Sequence, residues 1–246
     1  MRSFLTLSRV EFLLLMREPA AVGFTLLLPL VLLSLNDNKG NAPIPGAGGA
    51  GLVDIMVPSY LVYVVATSAI MALPETLANY RDRGILRRMR VSPLRPWQII
   101  GAHAMTHLAM TVVGLFLLVA VGAVVFNLRA PVGWGPAALA VGAATASVLA
   151  IGFLLGSILP TVRTTQAVAA GLYFPAIFIS GAVFPKEVQP EFARRIGEYL
   201  PLTYAVDAIR SGWTQGTVDW RGIGICAATA IVATAVALRT FRWEAR

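Results

Sequence analysis

The stretch "IMVPSYLVYVVATSAIMALPETLANYRDRGILRRMRVSPLRPWQ", residues 55–98, joins two opposed chemistries. Its first part, 55–78, is apolar over the roughly 20 residues a helix needs to cross the hydrocarbon core of a bilayer. Its last part, Arg81 to Gln98, holds six arginines and one acid in eighteen residues. A membrane helix that runs into a dense basic island predicts a cytoplasmic turn, because short cytoplasmic loops carry the excess of Lys and Arg.

The rest of the chain extends this reading. Of its 246 residues 57% are hydrophobic and 13% charged, whereas a soluble domain is about a quarter charged. Further candidate spans lie at about 20–36, 97–127, 134–159, 164–184 and 221–241. The first follows "MREP", where Pro19 suits a helix start. The preceding residues 1–18 place Arg2, Thr6 and Arg9 at i, i+4 and i+7, which reads as a helix lying in the cytoplasmic interface. Arg9 and Glu11 interrupt its apolar run, so it makes a poor signal peptide. The third span is long enough to tilt or to project beyond the bilayer.

With both termini cytoplasmic, thirteen of the twenty basic residues face inward. The outer segments hold seven basic and seven acidic residues, so the whole formal charge of +8 lies inside. This accounts for the basic composition without nucleic acid. Trp97, Trp134, Trp213, Trp220 and Trp243 all fall at or just beyond span ends, as an interfacial aromatic belt requires. The expected fold is all-α integral membrane. It has six transmembrane helices, an N-terminal interfacial helix, a short basic cytoplasmic helix between the second and third spans and an external re-entrant helix pair before the last span. The whole of 1–246 forms one transmembrane domain.

The middles of the spans carry no Asp, Glu, Lys or Arg. That argues against proton- or sodium-driven transport and against an ion pump, which need intramembrane charges. His103 and His107 share one face of the third helix, but no further His is present and Cys226, the single cysteine, is far away in sequence. A polar helix contact or pathway lining accounts for them better than metal or haem. No phosphate loop, nucleophile elbow or zinc-binding His pair is present. No catalytic or metal site is therefore expected. Gly152 and Gly156 form a G-x-x-x-G, for which packing within the chain is the simplest account.

Two connections outside the spans carry more. The loop "NDNKGNAPIPGAGGAGL", 36–52, reads as a flexible external linker. The segment "SGAVFPKEVQPEFARRIGEYLPLTYAVDAIRSGW", Ser180 to Trp213, predicts two short helices. In the first, after Pro190, Phe192, Ile196, Tyr199 and Leu200 form an apolar face. In the second, Thr203 serves as N-cap, Asp207 and Arg210 pair at i, i+3, and Gly212 ends the helix. Both can dip back into the outer membrane face. On the cytoplasmic side, Gly84 ends the second helix, and Ser92-Pro93 starts the next. Between them Ile85, Leu86 and Met89 form an apolar tip ringed by arginines. Such a tip suits a groove on another protein.

These two motifs in tandem resemble the ABC-2 type permeases, the transmembrane subunits of bacterial ABC exporters, and especially the daunorubicin-resistance-like members through "RRMRVSPLRPWQ". The likeness covers nearly the whole chain. Where that family usually shows an acidic-basic-acidic run before Arg-Gly, this chain has Asn79-Tyr80-Arg81-Asp82. The resemblance implies a coupling segment at 81–96, with Arg83, Gly84, Ile85, Leu86, Arg87, Arg88, Met89 and Arg90 seated on an ATPase. It implies external gate helices at 185–212. It also implies a pathway or gate near Tyr173, Phe174, Phe178, Phe184, Pro185, Tyr199, Pro201 and Tyr204. Two ABC ATPase subunits would bind the ATP and Mg, with no cofactor on this chain. A second permease copy or a sister permease would complete the pathway. The cargo expected is an amphipathic drug, antibiotic or lipid, and the place is the bacterial cytoplasmic membrane. A permease for lipid-linked polysaccharide, a membrane-embedded enzyme and a non-transporting anchor or sensor are the competing readings.

Overall fold

The computed structural model describes residues 19–35, 41–43, 49–84 and 96–240, with side chains described from Leu27 onward except at 96–104 and 106. The interfacial helix expected at 1–18 and Trp243 lie outside the described residues. Among the described residues the regular structure is helical, and one isolated bridge, Pro43 to Gly51, is the extended pairing present.

Helices occupy all six expected span positions: α1 (Pro19–Leu35), α2 (Leu52–Asp82), α3 (Pro96–Val125), α4 (Trp134–Ile158), α5 (Val162–Ile179) and α8 (Trp220–Thr240). Between α5 and α8 lie α6 (Glu191–Gly197) and α7 (Pro201–Arg210). By length and apolarity α2, α4, α8 and the His107–Val125 part of α3 can cross a membrane. The other two differ for local reasons. α1 has 17 residues, and the first turn of α5 holds Arg163, Thr164, Thr165 and Gln166.

α2 is the centre of the bundle. In its spanning window 72% is buried, against 17% for α3 and 22% for α8. Every residue from Met56 to Ala66 is buried. A helix apolar all round can face lipid or other helices, and here it is other helices that surround it. α2 packs on α1, α3, α4, α5 and α7. Its middle, Thr67–Ala72, is wound as a π-helix, which turns carbonyls out of the regular ladder.

α4 accepts this helix through small residues. Its buried face includes Ala137, Ala140, Ala144, Ser147, Gly152 and Gly156. Gly222, Cys226, Ala233 and Ala237 of α8 present a matching face, and α4 with α8 forms the most extensive helix pair. Small residues let backbones approach closely, which is the main means of helix association in lipid. A Cβ at Gly152 would lie 1.8 Å from the carbonyl oxygen of Ala69 in the π segment. The G-x-x-x-G is thus a packing device within the chain.

The N-terminal end of α2 is tied by Asp54, which is 3% exposed. Its carboxylate accepts from Asn41 Nδ2 at 2.8 Å, Gly51 N at 3.0 Å and Arg129 N at 2.9 Å. An acid in the first turn also suits the helix dipole. The described parts of the 36–52 connection are therefore held to α2 and to the α3–α4 loop. Trp213 departs from the aromatic-belt expectation. It is buried, and its Nε1 donates to Arg129 O at 3.2 Å. Trp134 and Trp220 open α4 and α8 and are exposed.

Gly152→Ala is expected to destabilise the bundle by about 1–3 kcal/mol, the usual range for overpacking. Gly171→Ala, with nothing within 4 Å of the added methyl, is expected to be neutral or stabilising. Thermal unfolding of the two purified variants in detergent checks the contrast.

Candidate coupling and gate site

α2 ends at Asp82, where the coupling segment is expected to begin. Its last turn closes with Gly84 at φ 65°, a left-handed position suited to glycine. Gly84 N donates to Arg81 O at 3.0 Å. Arg83 is exposed beside it. Ile85, Leu86, Arg87, Arg88, Met89 and Arg90 lie outside the described residues.

Arg81 does more than mark topology. It is 3% exposed. Its guanidinium donates to Gly156 O at 2.7 Å and to Leu159 O, carbonyls at the C-terminal end of α4. Asp82 Oδ2 accepts from Val162 N, the first residue of α5, at 3.2 Å. Each charge sits at the helix end of opposite polarity. Further along, Gln166 Nε2 donates to Glu75 Oε1 at 2.8 Å. His107 is buried one turn from buried Thr111 on α3, and the side chain of His103 lies outside the described set. Among the described residues no group of three or more His, Cys, Asp or Glu is placed to hold a metal.

The aromatic residues of α5 divide. Thr165, Ala169, Tyr173 and Ile177 form its buried stripe. Tyr173 shares a 2.6 Å hydrogen bond with Thr67 Oγ1, which itself donates to Tyr63 O. Tyr173 is therefore locked between α5 and α2, while Phe174 and Phe178 lie on the exposed side. Phe184 stacks on Phe178 at 5.8 Å between ring centroids. Gln189 Nε2 holds this turn by donating to Phe178 O and Phe184 O.

The segment before α8 forms two helices as expected, with four local corrections. The N-cap of α7 is Leu200 with Pro201 in the first turn, because proline there loses no helical hydrogen bond. Thr203 is instead buried within the helix. Asp207 and Arg210 do not pair with each other. Lys186 Nζ lies 2.5 Å from Asp207 Oδ2, and Arg210 Nη2 lies 3.1 Å from Glu187 Oε1. Gly212 does not end α7, which continues as a π turn, Ser211–Gln215, up to Gly216 at φ 69°. Gly212 lies where a Cβ would meet the Ala137 backbone at 2.7 Å.

The apolar face expected for α6 is also turned outward. Phe192, Ile196 and Tyr199 are exposed, Tyr199 at 86%, and Ala193 and Gly197 are the buried positions. The helix has three faces: small residues inward, Glu191, Arg194, Arg195 and Glu198 on a charged side, and the apolar trio outward. A cavity of about 320 Å³ opens on the charged side, bounded by Ile179, Lys186 and Thr203. Pro185 opens the short 3-10 turn Lys186–Val188. Tyr204 donates to Glu198 O at 2.8 Å, and the Arg221 guanidinium lies 5.5 Å from its ring centre.

Burial works against the charged form of Glu187, but its own backbone amide, Arg210 and Lys186 outweigh it and hold the carboxyl below its ordinary value.

A family model for the ABC-2 type transporter matches residues 1–213. The chain belongs to the ABC-2 type transporter family. It is 24% identical over 219 residues to "ABC transporter G family member 20" of Dictyostelium discoideum, an alignment covering 87% of this chain and 30% of that protein. It is 26% identical over 214 residues to "Putative transport permease YvfS" of Bacillus subtilis strain 168, covering 85% of this chain and 84% of that one. The family and the long apolar helices together describe a multi-pass membrane protein.

Because the carboxyl of Glu187 is lowered, its contribution to holding the 185–212 segment is present above its ordinary value of about 4.5 and is lost as pH falls through the lowered value. The thermal midpoint in detergent is expected to fall over that acid range, and to fall less in Arg210→Gln, whose Glu187 has lost its ion-pair partner.

Proposed function

We propose that this chain is the transmembrane permease subunit of an ATP-driven ABC exporter, moving an amphipathic drug, antibiotic or lipid out of the cytoplasm or inner leaflet. One observation carries the reading. The most enclosed of the four helices long and apolar enough to span, α2, runs from the Asp54 cluster at one end to the basic segment at the other. A push on that segment enters the bundle through its centre.

In this reading α1 to α5 and α8 are six spans, both termini are cytoplasmic, and the membrane is the bacterial cytoplasmic one. Residues 1–18 lie in the inner interface. The segment 81–96 seats Ile85, Leu86 and Met89, ringed by Arg83, Arg87, Arg88 and Arg90, in a cleft of a separate ATPase. Two such ATPases supply ATP and Mg, and two permease copies enclose the path. The helices α6 and α7 re-enter the outer face, with Phe174, Phe178, Phe184, Tyr199 and Tyr204 near the gate. The packing of α7 on α2, α4 and α8 supports this placement, as does the apolar trio on α6, which lipid would cover. A greasy cargo is favoured because the span middles carry no charge.

The test replaces the apolar tip. With Leu86→Asp and Met89→Asp, co-purification of the ATPase and cargo export are expected to fall at least tenfold, as an apolar contact worth about 1.5–3 kcal/mol per side chain predicts. Unchanged pairing and export would refute the coupling role.

A further inference from the structure

We propose that Arg81 and Asp82 form a clamp that carries movement of the coupling segment into α4 and α5. The inference rests on the reading that 81–96 engages an ATPase.

The geometry is specific. A cation that is 3% exposed is costly unless its donors are met. Arg81 meets them with Gly156 O and Leu159 O, at the end of α4. The last carbonyls of a helix lack partners within it and carry the negative end of its dipole. One residue on, Asp82 takes the first amide of α5, at the positive end. Two adjacent residues of opposite charge therefore grip both sides of the Leu159-Pro160-Thr161 turn.

That turn is itself firm. Pro160 fixes one backbone angle, and Thr161 Oγ1 accepts from Thr164 N at 3.3 Å in a capping box. On the other side, Arg83 and Gly84 alone separate the clamp from Ile85. The lever between an apolar tip docked on a partner and the α4–α5 turn is thus two residues long. Leu77 and Pro74 against Gly156 add apolar contact on the α4 side.

A stabilising contact and a force-bearing one differ in what moves. The test uses the chain with its ATPase in lipid nanodiscs, in a Cys226→Ser background. A nitroxide is placed at Arg83→Cys, at the root of the coupling segment, or at Ala167→Cys, on the exposed side of α5. With the clamp intact, ATP and Mg are expected to change the spectrum at both sites. In Asp82→Ala and Arg81→Gln the response at 167 is expected to be lost while that at 83 persists, and Arg81→Lys is expected to keep part of it. A full response at 167 in Asp82→Ala and Arg81→Gln overturns the clamp. No response at either site with the clamp intact overturns the coupling reading, and the clamp with it. Asp82 is exposed, and alanine removes the acceptor of Val162 N without adding bulk, so Asp82→Ala decides the matter should Arg81→Gln fail to assemble.

Discussion

The approach of Ala69 to Gly152 sets the geometry of the bundle. A backbone carbonyl of α2 occupies the space in which any larger residue of α4 would place its side chain. Apolar side chains gain little by leaving lipid for a protein interior, so helices in a membrane associate through close packing and hydrogen bonds. The small face of α4 provides the first of these. It admits α2 on one side and α8 on another, and α7 packs against all three. The π-wound stretch of α2 belongs to the same constraint, because Ala69, whose carbonyl meets Gly152, lies within it.

Polar groups are confined to where they can be answered. At the N-terminal end of α2, Asp54 gathers amides and a side-chain amide from three segments. At its C-terminal end Arg81 and Asp82 address the two helix ends at the α4–α5 turn. Between them, Thr67 and Tyr173 satisfy one another. The central helix is therefore apolar along most of its body and pinned at both ends.

Helices at the expected span positions were legible because apolarity is contiguous, and four of them are long and apolar enough to cross a membrane. Gly84 as the end of α2 was legible from local chemistry. The basic segment and the Ser180–Trp213 signature resemble those of the ABC-2 type family, to which the chain belongs. Partner choice was not legible. Asp207 and Arg210 stand three apart and look like a helical pair, yet each is taken by a residue more than twenty positions away. Arg81 looked like one of many inward arginines, and its burial depends on where α4 happens to end. On α6 the small residues Ala193 and Gly197 win the inward face, since close backbone approach decides packing there. The acid of "GLVD", Asp54, three residues after Gly51, was a usable signal of a capped helix start.

The crossed ion pairs around α7 have a consequence for how that helix is seated. Lys186-Glu187 runs basic then acidic, and Asp207 with Arg210 answers acidic then basic. Swapping the partners would set lysine against arginine and glutamate against aspartate. The joint is keyed: attraction holds one seating, and like charge rejects the exchanged one. If the outer helices lift during a transport cycle, the same key sets the alignment to which they come back.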